Sequence, residues 1–336
     1  MNETRRTVLR GIGAAGASGL LGWSNRAMSA DAPPEITRIR IESYPAACLA
    51  PQFLADELLR LEGFSQVEYV DEPQNDTDLH PLLVQGKLDF YLDAATGIIP
   101  DLDDGRPIVV LSGIHGGCWE LFGNSSVRTI RDLKGKRIAV IAMRSAEQVY
   151  VASMLAYVGI DPRKDVAWVE TKSFDGMVRE FVDGKADAVL GFPPQPQELR
   201  AKKIGHVIVN TSQDLPWSQY FCCMLVGRKE FVHKYPVATK RAVRAIVKAM
   251  DICAREPERA ARFMVDKGYE KNYDIALEVV KGVSYKAWRV LDPNDTLRFY
   301  LLRLREVGML KSTPQKLLAE GTDWRVLNEL KRELKA

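Results

Sequence analysis

The chain has 336 residues, with 47 basic and 44 acidic side chains, a formal net charge of +3 and 46% apolar residues. That near balance excludes the basic footprint of a nucleic-acid-binding protein. After the N-terminal region, no segment is apolar enough to read as a membrane span, which needs about 20 residues.

The N-terminus opens with Thr4-Arg5-Arg6-Thr7-Val8-Leu9-Arg10. A run of Gly, Ala, Leu and Ile follows from Gly11 to Trp23, then Arg26 and the small residues Met28-Ser29-Ala30. Paired arginines before a short, weakly apolar run predict a twin-arginine signal peptide over residues 1–30, and hence export to the periplasm. No cysteine directly follows the run, so a lipoprotein anchor is not expected. Without residues 1–30 the chain keeps 43 basic and 43 acidic residues, so the mature protein is neutral. The remaining length is more than one core usually fills and suits two lobes.

In chain order, Ile36 to Glu42 alternates as a strand, and Leu49 to Gly63 has helical spacing with Phe53, Leu54, Leu58 and Leu61 on one face. Val67 to Val70 reads as a strand, Leu79 to Gly86 as a helix, and Leu88 to Leu92 as a strand. The pattern then repeats. Strands are predicted at Lys136–Ala142, Val166–Glu170 and Ala186–Leu190, with helices at Ser145–Val158 and Phe174–Asp183. Each series carries a helix end, then Gly-Lys-x-Asp, then a strand: Gly86-Lys87-Leu88-Asp89 and Gly184-Lys185-Ala186-Asp187. Two similar α/β lobes in tandem are expected. Two apolar stretches, Cys118 to Gly123 and Phe221 to Gly227, are the predicted crossings between them. Four helices follow at Pro236–Glu256, Pro257–Lys267, Tyr273–Tyr285 and Asp295–Val307, expected to pack mostly on the first lobe. The predicted organisation is lobe 1 over 31–120, lobe 2 over 121–222, and a return to lobe 1 with C-terminal helices over 223–336.

Five cysteines (Cys48, Cys118, Cys222, Cys223, Cys253) at wide spacing form no disulfide framework. One bridge is compatible with an oxidising compartment, but the spacing selects no pair. Cys222 and Cys223 read as small apolar residues of a buried strand. The four histidines, His80, His115, His206 and His233, show no zinc spacing, so neither a metal nor any other cofactor is expected. His115, before the first crossing, reads as a surface loop residue or as a ligand contact. There is no phosphate-binding glycine loop and no nucleophile-elbow serine.

Four segments together carry a family resemblance: Leu49-Ala50-Pro51-Gln52-Phe53-Leu54-Ala55, Gly86-Lys87-Leu88-Asp89-Phe90, Ile130 through Val140 (Ile-Arg-Asp-Leu-Lys-Gly-Lys-Arg-Ile-Ala-Val), and Gly159-Ile160-Asp161-Pro162. The chain resembles the nitrate/sulfonate/taurine-type substrate-binding proteins of ABC importers, a family that also holds thiamine-pyrimidine binders. The resemblance spans nearly all of residues 36–335. It implies an α/β type II periplasmic-binding-protein fold, with two lobes, a two-stranded hinge and C-terminal helices. It further implies a monomer that closes on a small organic ligand (a sulfonate, another small anion, or an aromatic or pyrimidine-like compound) in an inter-lobe cleft and docks on an ABC permease and ATPase complex.

The candidate ligand residues follow the strand ends, where open α/β sheets bind ligands. Tyr44 offers an aromatic face after the first strand, or covers the lobe surface as a turn residue. Thr96 offers a hydroxyl at a helix start, or caps that helix without meeting ligand. Ser145 with Gln148 reads as a capping box, which either caps the helix alone or also offers its start to an anion; Arg144 adds a cation there, while Glu147 would repel an anion if it faced the cleft. Phe192 falls where the family often has Trp and Pro194 where it has Pro, while Pro193 replaces the family's acid. Trp119 and Trp217 are further aromatic candidates, each with a core alternative. Two other readings stand beside import. One is a pyrimidine-synthase-like enzyme of the same fold, faintly suggested by Cys222-Cys223. The other is a periplasmic ligand sensor.

Overall fold

The computed structural model describes residues 32–71 and 81–334. The predicted leader lies outside them, as do the first two residues of the helix expected at Leu79. Pro33 onward forms one compact unit.

Ten strands build two sheets: β1 (Arg38–Ser43), β2 (Gln66–Asp71), β3 (Phe90–Ala94), β4 (Ile108–Gly116), β5 (Glu120–Gly123), β6 (Arg137–Val140), β7 (Ala167–Glu170), β8 (Ala188–Gly191), β9 (His206–Asn210) and β10 (Phe221–Arg228). The first sheet runs β2-β1-β3-β10-β4 and the second β7-β6-β8-β5-β9. Strands β1, β2 and β3 pair parallel, and β10 lies antiparallel between β3 and β4. The second sheet repeats this plan, with β5 antiparallel between β8 and β9. The duplication expected from the paired βαβαβ patterns is therefore present strand for strand.

The repeated Gly-Lys-x-Asp has a mechanical meaning. Asp89, just before β3, accepts hydrogen bonds from Arg40 N (3.0 Å), Nε (3.0 Å) and Nη2 (2.7 Å). Asp187, just before β8, accepts the same three from Arg137, at 3.0, 3.1 and 3.0 Å. In each lobe one carboxylate thus ties the first strand to the third through a bidentate, charge-assisted pair.

Two segments join the sheets, residues 117–119 and 211–220. Gly117 has φ +32°, and a side chain there would meet the backbone of Ser212 at 2.4 Å. Only glycine lets the two segments approach so closely. They are then laced together: Trp119 N donates to Thr211 Oγ1 (3.0 Å) and Thr211 N donates to the Trp119 carbonyl (3.0 Å). A two-stranded hinge is present, but its second half lies upstream of the predicted place. Phe221–Arg228 is entirely a strand of the first sheet. Its continuous apolar run reflects burial on both faces.

Helix Ala50–Leu61 begins with Pro51 in its first turn, where the missing N–H costs nothing. Helix Pro236–Arg255 packs against it and buries Ala242, Val243, Ile246, Val247 and Met250 at helical spacing. Each large side chain so buried contributes about 1.5–3 kcal/mol. Glu62 closes this contact by accepting from Arg244 Nη2 (2.6 Å) and Lys248 Nζ (3.2 Å). The C-terminal helices are expected to pack mostly on lobe 1, and helix Pro293–Glu306 is shared with lobe 2. It packs on both Ala95–Asp103 of lobe 1 and Ala146–Tyr157 of lobe 2, with Tyr300 edge-on to Tyr150 at 5.4 Å. None of the described helices is long and apolar enough to cross a membrane.

Candidate functional site

The ends of β1, β3, β6 and β8 bring most of the candidate residues to one seam between the lobes. Tyr44, past β1, is half-buried and meets Phe192, past β8, edge-on at 6.1 Å. Phe192 also lies 4.9 Å from Trp119 and 5.8 Å from Phe174, and Trp119 is 6.2 Å from Phe174. These four rings, from both lobes and the hinge, form an aromatic cluster in which Tyr44 comes from lobe 1, and Tyr150 extends it at 6.3 Å from Trp119.

Helix Ala95–Asp103 starts directly off β3 with no intervening turn. Thr96 is therefore inside the first turn and does not cap it. Its hydroxyl donates across the seam to the Ala146 carbonyl (2.9 Å). Arg144 occupies the left-handed region, φ +70°, which sends its side chain to lobe 1. There Nη2 donates to Asp104 Oδ2 (2.8 Å) and to the Pro100 carbonyl (3.2 Å). Burial works to raise the Asp104 carboxyl, but Lys311 and Arg144 outweigh it and hold the group below its ordinary range. Arg144 is thus engaged in an inter-lobe ion pair.

The capping-box reading of Ser145 is corrected. Ser145 is the N-cap of helix Ala146–Tyr157, but its side chain accepts no hydrogen bond from the helix. Its hydroxyl donates to the Ala142 carbonyl (2.7 Å) and to Glu147 Oε1. Gln148 instead accepts from Arg144 N (3.1 Å). The reciprocal box of this lobe is Thr129 with Asp132. Trp217 stands apart from the aromatic cluster, packed edge-on against Tyr157 at 5.6 Å.

The charges around the cluster are acidic. Burial pushes the Tyr44 phenol well above its usual range, and Asp93, Glu42 and Glu147 add to the effect. Glu42 and Glu147 are buried, and Asp93 is half-buried. The sequence shows Glu147 as a group that would repel an anion if it faced the cleft; Glu42 and Asp93 are not sequence-level candidates. Each sits beside an apolar strand end or a helix start, where an acid reads as a cap or a surface residue. Burial also raises the Glu147 carboxyl, against opposing hydrogen bonds from Ser145 and Ile141 N (2.7 Å). A carboxyl raised in the folded state stabilises below its unfolded value near 4.5, and that contribution is lost as pH rises through the folded value. Glu147→Gln keeps an acceptor and removes the charge. The variant is expected to melt about 2–4 °C above the parent at pH 8 and level with it at pH 4, as read by thermal denaturation at both pH values.

His115 corrects another expectation. It is fully buried within β4, since Ile108–Gly116 is a strand enclosed on all sides. It stands among Cys118, Cys222 and Cys223, a donor set able to hold a metal ion. Spacing along the chain gave no hint of this grouping.

Comparison with known proteins agrees with this architecture. Residues 122–286 match the model of the NMT1-like family. A curated relative is the 4-amino-5-hydroxymethyl-2-methylpyrimidine phosphate synthase THI5 of Saccharomyces cerevisiae, 22% identical over 67% of this chain and 69% of its own length. Among solved structures, the periplasmic nitrate-binding protein NrtA of Synechocystis PCC 6803 superposes with a TM-score of 0.75 at 15% identity, covering 90% of each chain. The alkanesulfonate-binding protein SsuA of Xanthomonas axonopodis gives a TM-score of 0.68 at 14% identity, over 86% of this chain and 98% of that one. At these identities the structural likeness establishes the fold, that of the periplasmic binding proteins.

Proposed function

With residues 122–286 NMT1-like in sequence and the described chain folded as a periplasmic binding protein, we propose that this protein captures one flat, neutral or cationic heteroaromatic molecule between its lobes. The observation that carries the reading is the aromatic seam of Tyr44 and Phe192 within reach of Glu42, Asp93 and Glu147. Aromatic faces suit a planar ring. Three carboxylates repel nitrate or a sulfonate and favour a protonated or amino-bearing ring. Arg144, the cation expected to receive an anion, is held by Asp104.

Capture proceeds by hinge closure about residues 117–119 and 211–220. The seam contacts Thr96–Ala146 and Arg144–Asp104 are the latch that closure makes. The closed monomer then delivers its ligand to an ABC permease and ATPase, working in the periplasm after twin-arginine export. No cofactor enters this reading.

The test is calorimetric titration of ligand-free protein with aminopyrimidines, other heteroaromatic amines, nitrate, sulfonates and taurine. Binding of heteroaromatic amines at micromolar Kd, lost by about tenfold or more in Phe192→Leu, is the expected result. Binding confined to nitrate or sulfonates overturns the ligand class.

The likeness to the yeast pyrimidine phosphate synthase favours a second reading, an enzyme of the same fold. Turnover of a bound heteroaromatic compound, followed by mass spectrometry, would select it over transport. A receptor-docking sensor is the third, and dependence of ligand uptake on this chain in the intact cell separates it from import.

A further inference from the structure

Four of the chain's five cysteines and one of its four histidines converge behind the aromatic seam. His115 comes from β4, Cys118 from the first hinge segment, and Cys222 and Cys223 from β10; their donor atoms all lie within 4.8 Å of one another. Cys118 Sγ is 3.2 Å from Cys222 Sγ, which is 3.7 Å from Cys223 Sγ. All four residues are buried. Cys48 adjoins the group, against both Cys118 and His115.

The backbone is shaped for this. Adjacent residues on a regular strand point to opposite faces. Along β10 the register against β4 slips between Phe221 and Cys223 and again between Cys223 and Met224. Such a bulge re-aims side chains, and it brings both thiols to one side. The imidazole is also prepared. Nδ1 lies 3.2 Å from the Gly116 carbonyl, which can only accept, so this nitrogen carries the proton. Nε2 then offers its lone pair from a buried position, with the Cys48 thiol beside the imidazole. A histidine whose far nitrogen donates to a backbone carbonyl is the usual outer support of a metal ligand.

We infer that His115, Cys118, Cys222 and Cys223 form a binding site for one thiophilic d10 cation, of the zinc(II) or copper(I) class. At metal–sulfur distances near 2.3 Å and metal–nitrogen distances near 2.0–2.1 Å, tetrahedral donors stand about 3.5–3.8 Å apart; Cys222–Cys223 has that separation, while binding must open Cys118–Cys222 from 3.2 Å and draw in the widest pair of a set that spans up to 4.8 Å. Soft thiolates with one imidazole select such cations over magnesium or calcium. Binding releases the thiol protons, and the cation offsets the thiolate charge that burial opposes. The site joins lobe 1 to the first hinge segment, one residue from Trp119. The metal therefore fixes the hinge end of the aromatic cluster.

The experiment uses the full exported chain, reduced and stripped with a chelator, and titrated with Co²⁺ as a spectroscopic probe. A thiolate-to-cobalt charge-transfer band saturating at one equivalent, bleached by Zn²⁺, is expected. Zn²⁺ should also raise the Tm of the stripped protein. Cys223→Ser and His115→Gln should weaken uptake by about 100-fold, whereas Cys253→Ser, outside the cluster, should leave it unchanged. The Tm shift is read on the parent chain, so a variant that fails to fold leaves the test intact. The proposal is overturned by no charge-transfer band in natively folded protein, by equal loss in Cys253→Ser, or by no Zn²⁺ effect on Tm. A Cys118–Cys222 disulfide in the unreduced protein, with no metal uptake after reduction, overturns it as well.

Discussion

Asp89→Ala is expected to destabilise the protein by about 3 kcal/mol, because it takes a buried carboxylate from two half-buried guanidinium groups and leaves Arg228 only its exposed partner Glu230. The Asp89 carboxylate is 2% exposed and takes Arg40 on one side and Arg228 Nη2 (3.2 Å) on the other. Arg228 ends β10, so this one group ties β1, β3 and β10 at the lower edge of the first sheet. Its counterpart Asp187 is 15% exposed and its partner Arg137 is 46% exposed. Water can replace much of what Asp187→Ala removes, so that variant should lose distinctly less. Urea denaturation of the two variants, compared by midpoint and slope, checks the ranking. Equal losses would mean that the desolvated geometry around Asp89 is not what gives the motif its weight.

Asp93→Asn is expected to lower affinity for a cationic heteroaromatic ligand by about 10–100-fold and to leave or improve the binding of anions. The size follows from the 1.5–3 kcal/mol typical of a charged hydrogen bond. Asp93 ends β3 beside Tyr44 and lies over the first turn of helix Ala95–Asp103. A side chain on Gly97 would come within 2.2 Å of its Oδ2, and its Oδ1 accepts from Ala94 N (2.6 Å). The helix start favours negative charge at this place. Asparagine keeps the shape and removes the charge, so parallel titrations with a cationic and a neutral ring isolate the electrostatic part. An equal drop for both ligands would assign Asp93 to packing of the seam, and the ligand-charge argument would fall.

The elements that were legible are those whose signal is local. Apolar alternation located β1 as Arg38–Ser43, and helical spacing located Ala50–Leu61 and Pro236–Arg255, each within about two residues. The elements that were missed lack a local boundary. Of helix Ala95–Asp103 only the start near Thr96 was legible, because the helix follows β3 without a turn and Pro100 inside it hides its extent. Strand β4 has no polar face, because sheet and helices cover it completely, and β9 is a short edge strand.

The same division holds for the site. Tyr44 and Phe192 were proposed because strand ends are where such sheets meet ligands, and the structure sets the two rings against each other. The destination of Arg144 was not visible, since its left-handed backbone and the distance to Asp104 arise only when two lobes meet.

By itself the sequence determined a duplicated α/β chain with a paired Gly-Lys-x-Asp staple, because strand period, helix period and glycine-stopped helices act over a few neighbouring residues. Tertiary structure alone decided that Cys118 and Cys222, 104 positions apart, would stand 3.2 Å from each other beside His115. That meeting depends on which strand is exchanged between sheets and on the slipped register of β10, and neither leaves a periodic trace in the chain.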